Sequence, residues 1–299
     1  MIGVLVTGAR GMLGSDVVRC LARGGYEVGG GGRDVLDVGD RRACREAIEA
    51  LEPDVVIDCA LPTGVDREPR RLAGGARNVA EAAARVEAFS IYVSCASVFD
   101  GLLGRPYTES DAPSPSTPIG EAKLAAEEAV NAANPRHAIV RTSWLFGTGG
   151  GNLVEAALAA GAVADRVPVD ATISSSPTYT RHLADALLLL VRRPAYGIFH
   201  LAGRGVCTEL QLARSVLRLS RSGAQAVALE DDPSHPSGET VDLVLGTRRT
   251  ELPPLPDWRL GVRAYLDERK IAVPGAGLEL VTPPAEEPDA PDDTPAPTG

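Results

Sequence analysis

Short apolar runs alternate with helical stripes along the first half of the chain. Val4-Leu5-Val6 is a continuous apolar run, and Leu13, Val17 and Leu21 then recur at helical spacing, so a strand followed by a helix is predicted. Asp54-Val55-Val56-Ile57 is the next strand, followed by an alanine-rich helix from about Arg77 to Val86. Ser90-Ile91-Tyr92-Val93 and Ala138-Ile139-Val140 read as further strands. Continuously apolar strands separated by helices imply an α/β fold, with a doubly wound parallel sheet covered on both faces. Beyond Gly147 the pattern loosens. An apolar helix is predicted over roughly Leu183 to Val191, a strand over Gly197 to Leu201, and a helix over Thr208 to Leu219 with Thr208 as its N-cap. The expected organisation is a nucleotide domain over 1–147, to which later segments return, and a smaller C-terminal substrate lobe over 148–270. Residues 271–299 form an acidic, proline-rich tail. From Pro283 to Gly299 the tail has no aromatic residue and too little apolar surface to offset its ordering entropy, so disorder is expected there.

Composition narrows the function classes. With 44% hydrophobic residues, the 299-residue chain has material for a full core. No apolar run approaches the roughly 18 residues of a membrane helix, and the start, Met1-Ile2-Gly3-Val4, reads as the edge of a strand rather than a secretory signal. The formal net charge is -10, and six of those charges (Glu279, Glu286, Glu287, Asp289, Asp292 and Asp293) follow Lys270 with no Lys or Arg among them. The body therefore sits near -4, with no basic footprint for nucleic acid. Cys20, Cys44, Cys59, Cys95 and Cys207 are scattered and do not cluster with the four histidines, so neither a disulfide framework nor a metal centre is expected. Free thiols and no export signal lead to the expectation of a cytoplasmic protein without membrane contact.

The chemistry begins at Thr7-Gly8-Ala9-Arg10-Gly11-Met12-Leu13-Gly14, which lies between the first strand and the first helix. Gly8 permits a tight turn, Gly11 lets backbone N–H groups approach a pyrophosphate, and Gly14 lets the helix pack closely on the strand. The helix N-terminus adds partial positive charge. This is a Rossmann-type dinucleotide turn, and its position after a strand and before a helix gives the glycine pattern its weight. The second strand is expected to end near Tyr26-Glu27-Val28, followed by Gly29 to Gly32 and Arg33. Without an acid there for the ribose, Arg10 and Arg33 favour NADP over NAD, although Arg33 reads equally well as an ordinary surface arginine. Asp37-Val38 is placed against the adenine.

Several segments together resemble the dTDP-4-dehydrorhamnose reductase family of extended short-chain dehydrogenases. Asp58-Cys59-Ala60-Leu61-Pro62-Thr63-Gly64-Val65-Asp66 is similar to the family's Asn-Ala-Ala-Ala-x-Thr-x-Val-Asp, and Ser94-Cys95-Ala96-Ser97-Val98-Phe99-Asp100-Gly101 to its Ser-Thr-Asp-Tyr-Val-Phe-Asp-Gly. Pro106-Tyr107-Thr108-Glu109, Arg141-Thr142-Ser143-Trp144-Leu145-Phe146-Gly147, Asn152, Pro177-Thr178 and Leu255-Pro256-Asp257-Trp258 extend the likeness over roughly residues 1 to 268. The resemblance implies a cofactor site that includes Ala60, and substrate contacts at Trp144 and Asn152. It also implies a Tyr-x-x-x-Lys pair on one helix face, aided by a Ser or Thr on the preceding strand.

The chain departs from that pattern where the reaction happens. The lysine is Lys123, but the tyrosine position is Ile119 and the Ser/Thr position is Cys95; the family's asparagine falls at Leu72. Isoleucine cannot donate a proton, and a positioned general acid is worth about 10² to 10⁴ in rate. Lys123 reads best as a ribose anchor, with a lone proton donor or a surface lysine left from ancestry as the alternatives, and Cys95 as a second donor or, more simply, an inert small hydrophobe; Tyr107 and Tyr179 read more simply as packing residues. Gly246-Thr247-Arg248-Arg249 only approximates the family's Arg-Arg-Pro. Two functions stay open. One is an NAD(P)H-dependent 4-ketoreductase of a dTDP-4-keto-6-deoxysugar with a non-standard proton donor. The other is a catalytically silent cofactor-binding or regulatory protein, as in the regulatory beta subunit of methionine adenosyltransferase, which resembles these reductases. The corresponding partners are a nucleotide sugar, a second copy of the chain, or a regulated protein.

Overall fold

The computed structural model describes residues 2–61, 68, 70–229 and 241–272. The tail beyond Ala272 and the stretch Thr63–Asp66 lie outside these residues. The chain lays down β1 (Gly3–Thr7), α1 (Met12–Arg23), β2 (Glu27–Gly30), α2 (Arg41–Leu51), β3 (Val55–Asp58), α3 (Arg71–Arg85), β4 (Phe89–Cys95), α4 (Pro118–Ala133) and β5 (His137–Thr142) in order. Its second half holds β6 (Leu145–Phe146), α5 (Leu153–Val163), β7 (Arg166–Val169), β8 (Ile173–Ser175), β9 (Thr178–Tyr179), α6 (Thr180–Arg192) and β10 (Gly197–His200). It closes with β11 (Cys207–Thr208), α7 (Glu209–Leu219), β12 (Gln225–Ala228), β13 (Val241–Leu243) and α8 (Trp258–Ala272).

Six strands form one all-parallel sheet in the order β10-β5-β4-β3-β1-β2. Alternation along the strands sends side chains to two cores. Val4, Val6, Ile91, Val93 and Val140 pack with Leu13 and Val17 of α1 and Leu183 and Leu187 of α6. On the opposite face Leu5 and Val56 pack with α2 and α3, and Tyr92 and Ile139 with α3 and α4. The crossovers place a helix after nearly every strand, which is why the strands read as apolar throughout. Local caps fix the helix starts. The Asp40 carboxylate accepts from the N–H groups of Arg42 and Ala43. Thr117 accepts from Gly120 N ahead of Pro118 at the first helical position of α4, and Thr208 with Gln211 forms a capping box for α7.

Three boundaries differ from the sequence expectation. The helix and strand expected around 183–191 and 197–201, within the 148–270 span of the lobe, are α6 and β10; β10 is the edge strand of the main sheet and α6 packs on the sheet beside α1. β10 pairs with β5 from Gly197 opposite Ala138, and Phe199 is buried in the α1–α6 core. α3 starts at Arg71 rather than Arg77, because Leu72 and Ala76 ahead of that point are buried against Ala122 and Ala126 of α4. β2 continues through Gly29 and Gly30 alongside β1; a Cβ at Gly30 would stand 3.0 Å from Ala9 Cβ and from Val6 O, so the close approach selects glycine. The remaining elements build a smaller lobe around Phe146, Val216, Trp258 and Tyr265. Asp16 ties α1 to the start of α6, accepting from Thr180 Oγ1 at 2.5 Å and meeting Arg181, and also meets Arg19 of its own helix. Among the described residues no helix is long and apolar enough to cross a membrane.

Candidate functional site

A cavity of about 650 Å³ opens at the C-terminal ends of β1, β3, β4 and β5, within the size range of ligand pockets. Its position is a consequence of the doubly wound sheet, where ligands bind outside the carboxyl ends of the strands. At one end lies the glycine turn. Gly8 has φ +64°, and a Cβ there would stand 2.8 Å from Ala60 Cα and Cys59 O. A Cβ on Gly14 would meet Gly8 O at 2.1 Å. Gly11 N donates to Gly8 O at 2.9 Å and closes the turn. α1 then opens at Met12, so its amino-terminal N–H groups border the cavity. Gly14 itself serves packing and does not line the cavity.

The adenosine-side candidates gather nearby. Arg10, Gly32, Arg33, Leu36, Asp37, Val38 and Ala60 all line the same space. Arg10 Nη1 pairs with Asp34 at 2.7 Å on the surface, and Arg33 Nη2 donates to Leu61 O at 3.3 Å. The Asp37 carboxylate accepts from Gly39 N at 3.0 Å.

At the other end, Lys123 rises from the first turns of α4. Its Nζ donates to Val93 O at 3.0 Å and to Tyr92 Oη at 3.3 Å, and stands 5.1 Å from the Tyr92 ring centre. Ile119, one turn earlier, also lines the cavity and is 43% exposed. Cys95 and Cys59 are half-buried wall residues; burial beside Asp58 pushes the Cys59 thiol well above its ordinary range. Asp58 is buried at the end of β3, accepting from Thr7 Oγ1 at 2.6 Å and Ala60 N at 3.1 Å. Burial raises its carboxyl above the usual range, against those bonds and the Lys123 charge. Burial raises the Tyr92 phenol as well. Trp144 lines the cavity with φ +36°, an uncommon backbone conformation for a bulky residue.

Asn152 stands behind the cavity wall, its Nδ2 3.6 Å from the sulfur of Met12, which lines the cavity. Its side-chain oxygen caps α5 by accepting from Val154 N and Glu155 N, and its amide donates to Gly147 O and Gly150 O. It is not among the residues lining the cavity. Tyr107 and Tyr179 also lie outside it: their hydroxyls donate to Asp100 at 2.6 Å and to Glu268 at 2.5 Å. Leu72, at the family's asparagine position, is buried between α3 and α4.

Three residues of the site escaped the sequence reading. Ser94 and Thr142 line the cavity, are 1% and 2% exposed, and carry buried hydroxyls without a hydrogen-bond partner. Tyr92 was read only as part of an apolar strand. The available signal was the alternation Ser90, Tyr92, Ser94 against Ile91 and Val93, which puts one polar row on the α4 face.

A family model described as the RmlD substrate binding domain matches residues 2–271. A dTDP-4-dehydrorhamnose reductase of Streptomyces griseus is 39% identical over 229 residues, 72% of this chain and 75% of that protein. The crystal structure of a dTDP-4-dehydrorhamnose reductase from Clostridium acetobutylicum superposes with a TM-score of 0.83 at 30% identity, covering 90% of this chain and all of the other. A dTDP-4-dehydrorhamnose reductase from Bacillus anthracis, solved in complex with NADP, gives 0.82 at 26% identity, covering 90% and 99%.

Proposed function

We propose that this chain, which belongs to the RmlD substrate binding domain family, is an NADPH- or NADH-dependent reductase of a dTDP-4-keto-6-deoxysugar, with Lys123 as its proton donor. The observation that carries the reading is a single cavity joining the glycine turn to the Lys123 ammonium. The turn fits a dinucleotide: the spaces at Gly8 and Gly14 exclude side chains, and α1 directs its N-terminus at the place of a diphosphate. The NADP complex of the Bacillus anthracis relative supports the same cofactor class here. When bound, the reduced nicotinamide supplies hydride. Arg10 and Arg33 stand at the ribose end, where a 2′-phosphate would find positive charge. Lys123 is held by Val93 O and Tyr92 Oη beside the strand ends, within the space a substrate carbonyl must enter. Cys95 is the second candidate donor, and Trp144 offers a flat apolar wall for the sugar.

The second reading is a silent cofactor-holding protein. Ile119 favours it, since an aliphatic side chain stands at the cavity mouth in place of a proton donor. The two separate in one experiment. Purified protein is titrated with NADPH and NADH, a dTDP-4-keto-6-deoxysugar is added, and absorbance of the reduced cofactor is followed. Steady oxidation with substrate supports the reductase. Tight cofactor binding without oxidation overturns it, most clearly if Ile119→Tyr with Cys95→Thr gains activity on the order of the 10² to 10⁴ that a general acid supplies. Failure to bind either cofactor overturns both readings.

A further inference from the structure

Of the 30 basic residues in the chain, Lys123 and Lys270 are the two lysines. An arginine keeps its proton, whereas a lysine can release one. The cavity therefore presents a cation that can act as an acid, provided that it stays charged once water is displaced. Two of the three donors on that ammonium are taken, by Val93 O at 3.0 Å and Tyr92 Oη at 3.3 Å. Both acceptors are neutral. A counter-charge stands on the next strand. Asp58 is opposite Tyr92 in the β3–β4 register and is 3% exposed. Thr7 Oγ1 and Ala60 N donate to its Oδ1, which fixes the carboxyl without neutralising it. A buried charge calls for an opposite one, and the Lys123 charge favours the ionised form of Asp58 against its burial. The attraction is mutual. Other titratable groups surround the pair. Burial pushes the Cys44 thiol of α2 up to about 12, and it raises the Cys59 thiol and the Tyr92 phenol well above their ordinary ranges. Glu127 of α4 is held by Arg141, and Cys95 ends β4.

We propose that Asp58 is a positioning residue behind the proton donor, its buried carboxylate serving as the counter-charge that keeps Lys123 an ammonium at the cavity wall. The inference rests on the reductase reading above. Asp58 and Tyr92 stay behind the wall, which Cys59, Ala60, Val93 and Lys123 line, so Asp58 acts through Lys123 and not on the substrate. In the step, hydride from the reduced dinucleotide adds to the carbonyl carbon and the C=O π pair moves onto oxygen. That oxygen takes a proton from Lys123, and the neutral amine recovers one from water. Asp58 neither gives nor takes a proton. The motif that Asp58–Asp66 resembles begins with asparagine, which has the same shape without the charge, so the residue pair isolates the charge itself.

The test compares Asp58→Asn and Thr7→Val with the parent in the full-length protein. The first readout needs no turnover. Trace acetylation against an added reference amine, read by peptide mass spectrometry, reports the neutral fraction of Lys123, and with two lysines in the chain its peptide is unambiguous. At mildly alkaline pH, Asp58→Asn should raise Lys123 labelling about tenfold, the change for a shift of about one pH unit, which is the size that an opposite charge supplies. Thr7→Val, which removes one bond favouring the carboxylate and leaves Asp58 in place, should raise it by a smaller factor. It decides the matter if Asp58→Asn does not fold. The second readout uses NADPH and dTDP-4-dehydrorhamnose: in Asp58→Asn the alkaline limb of kcat should move about one unit to lower pH, with KM for both within about twofold. A loosened wall would raise labelling at every pH, whereas a lost counter-charge raises it only below the pH at which Lys123 titrates. Unchanged labelling in both variants, or an even rise across the pH range, overturns the proposal and leaves the reductase reading standing where the parent turns over. If the parent shows no turnover but Lys123 labelling still depends on Asp58 in the pH-limited way, the counter-charge stands and the reductase reading falls.

Discussion

At one end of the cavity Gly8 and Gly14 are fixed by the space they leave, and at the other the side chains around Lys123 differ in the protons they can offer. The first requirement has one solution. Gly14 sits where any Cβ would lie 2.1 Å from Gly8 O, so nothing else fits while the turn keeps its shape. The second has several solutions, since a hydroxyl or an ammonium can reach one substrate oxygen from different strands or helices. The steric end therefore keeps its sequence pattern, while the chemical end can exchange residues and still present donors. Gly14→Val is the largest test of this contrast. The displaced turn should lose NADPH binding below detection in a fluorescence titration, and the over-packed helix start should lower stability by roughly 1–3 kcal/mol or more. Undiminished binding would show that the turn is not the cofactor seat.

Beneath the reacting end the chain carries a buried ion pair that the turn has no equivalent of. Arg141, on β5, is 1% exposed. Its Nη2 meets Glu127 Oε2 at 2.6 Å and its Nε meets Glu127 Oε1 at 3.0 Å. Its guanidinium lies 5.1 Å from the Phe99 ring centre. Removing one partner strands the other charge in the core. Glu127→Ala should cost about 3–5 kcal/mol, read as a lower urea midpoint. A loss below about 1 kcal/mol would mean that water reaches Arg141 and that the floor of this end is softer than its packing suggests.

The same contrast explains how much could be read in advance. Val4–Val6, the glycine turn and α1 were legible because apolar periodicity and glycine spacing are local properties. The placement of α6 and β10 was not, because Gly197–His200 carries the same apolar signal in either lobe, and only pairing with β5 settles the sheet it joins. Ile119 could be named from its spacing to Lys123, and Cys95 from the family motif that Ser94–Gly101 resembles. Ser94 could not, because a serine in an apolar strand shows its lack of a partner only after its neighbours are in place.

His200, at the end of β10, links the ion pair to acidity. It is 4% exposed, its Nδ1 contacts the carbonyls of Tyr107 and Gly246 at 3.0 and 2.9 Å, and its Nε2 is 3.4 Å from Arg141 Nη1. Burial, helped by the Arg141 charge and opposed by Glu109, lowers its pKa below the ordinary value. The unfolded chain then binds a proton that the folded one refuses. Stability from this group is complete above the unfolded pKa of about 6.5 and is lost as pH falls from there through the folded value. Tm should drop between about pH 7 and pH 5, and His200→Asn, which keeps a donor toward the carbonyls, should flatten that limb. An identical slope in the variant would assign the acid limb to other groups.

The smallest effect expected separates the two ends most finely. Asn152 lies where the family resemblance puts a sugar contact; its side-chain oxygen caps the first turn of α5, and its amide meets Gly147 O and the sulfur of Met12. A helix cap and a substrate contact predict different losses. Replacing an asparagine cap with alanine costs about 1 kcal/mol of stability and leaves substrate affinity nearly untouched. Removing a sugar contact raises KM while stability holds. Asn152→Ala should therefore lower Tm modestly with KM within about twofold of the parent, and Asn152→Asp, which keeps the accepting oxygen at the helix N-terminus, should restore Tm. A raised KM at unchanged Tm would return Asn152 to the substrate. The reacting end would then extend past Trp144 to the start of α5.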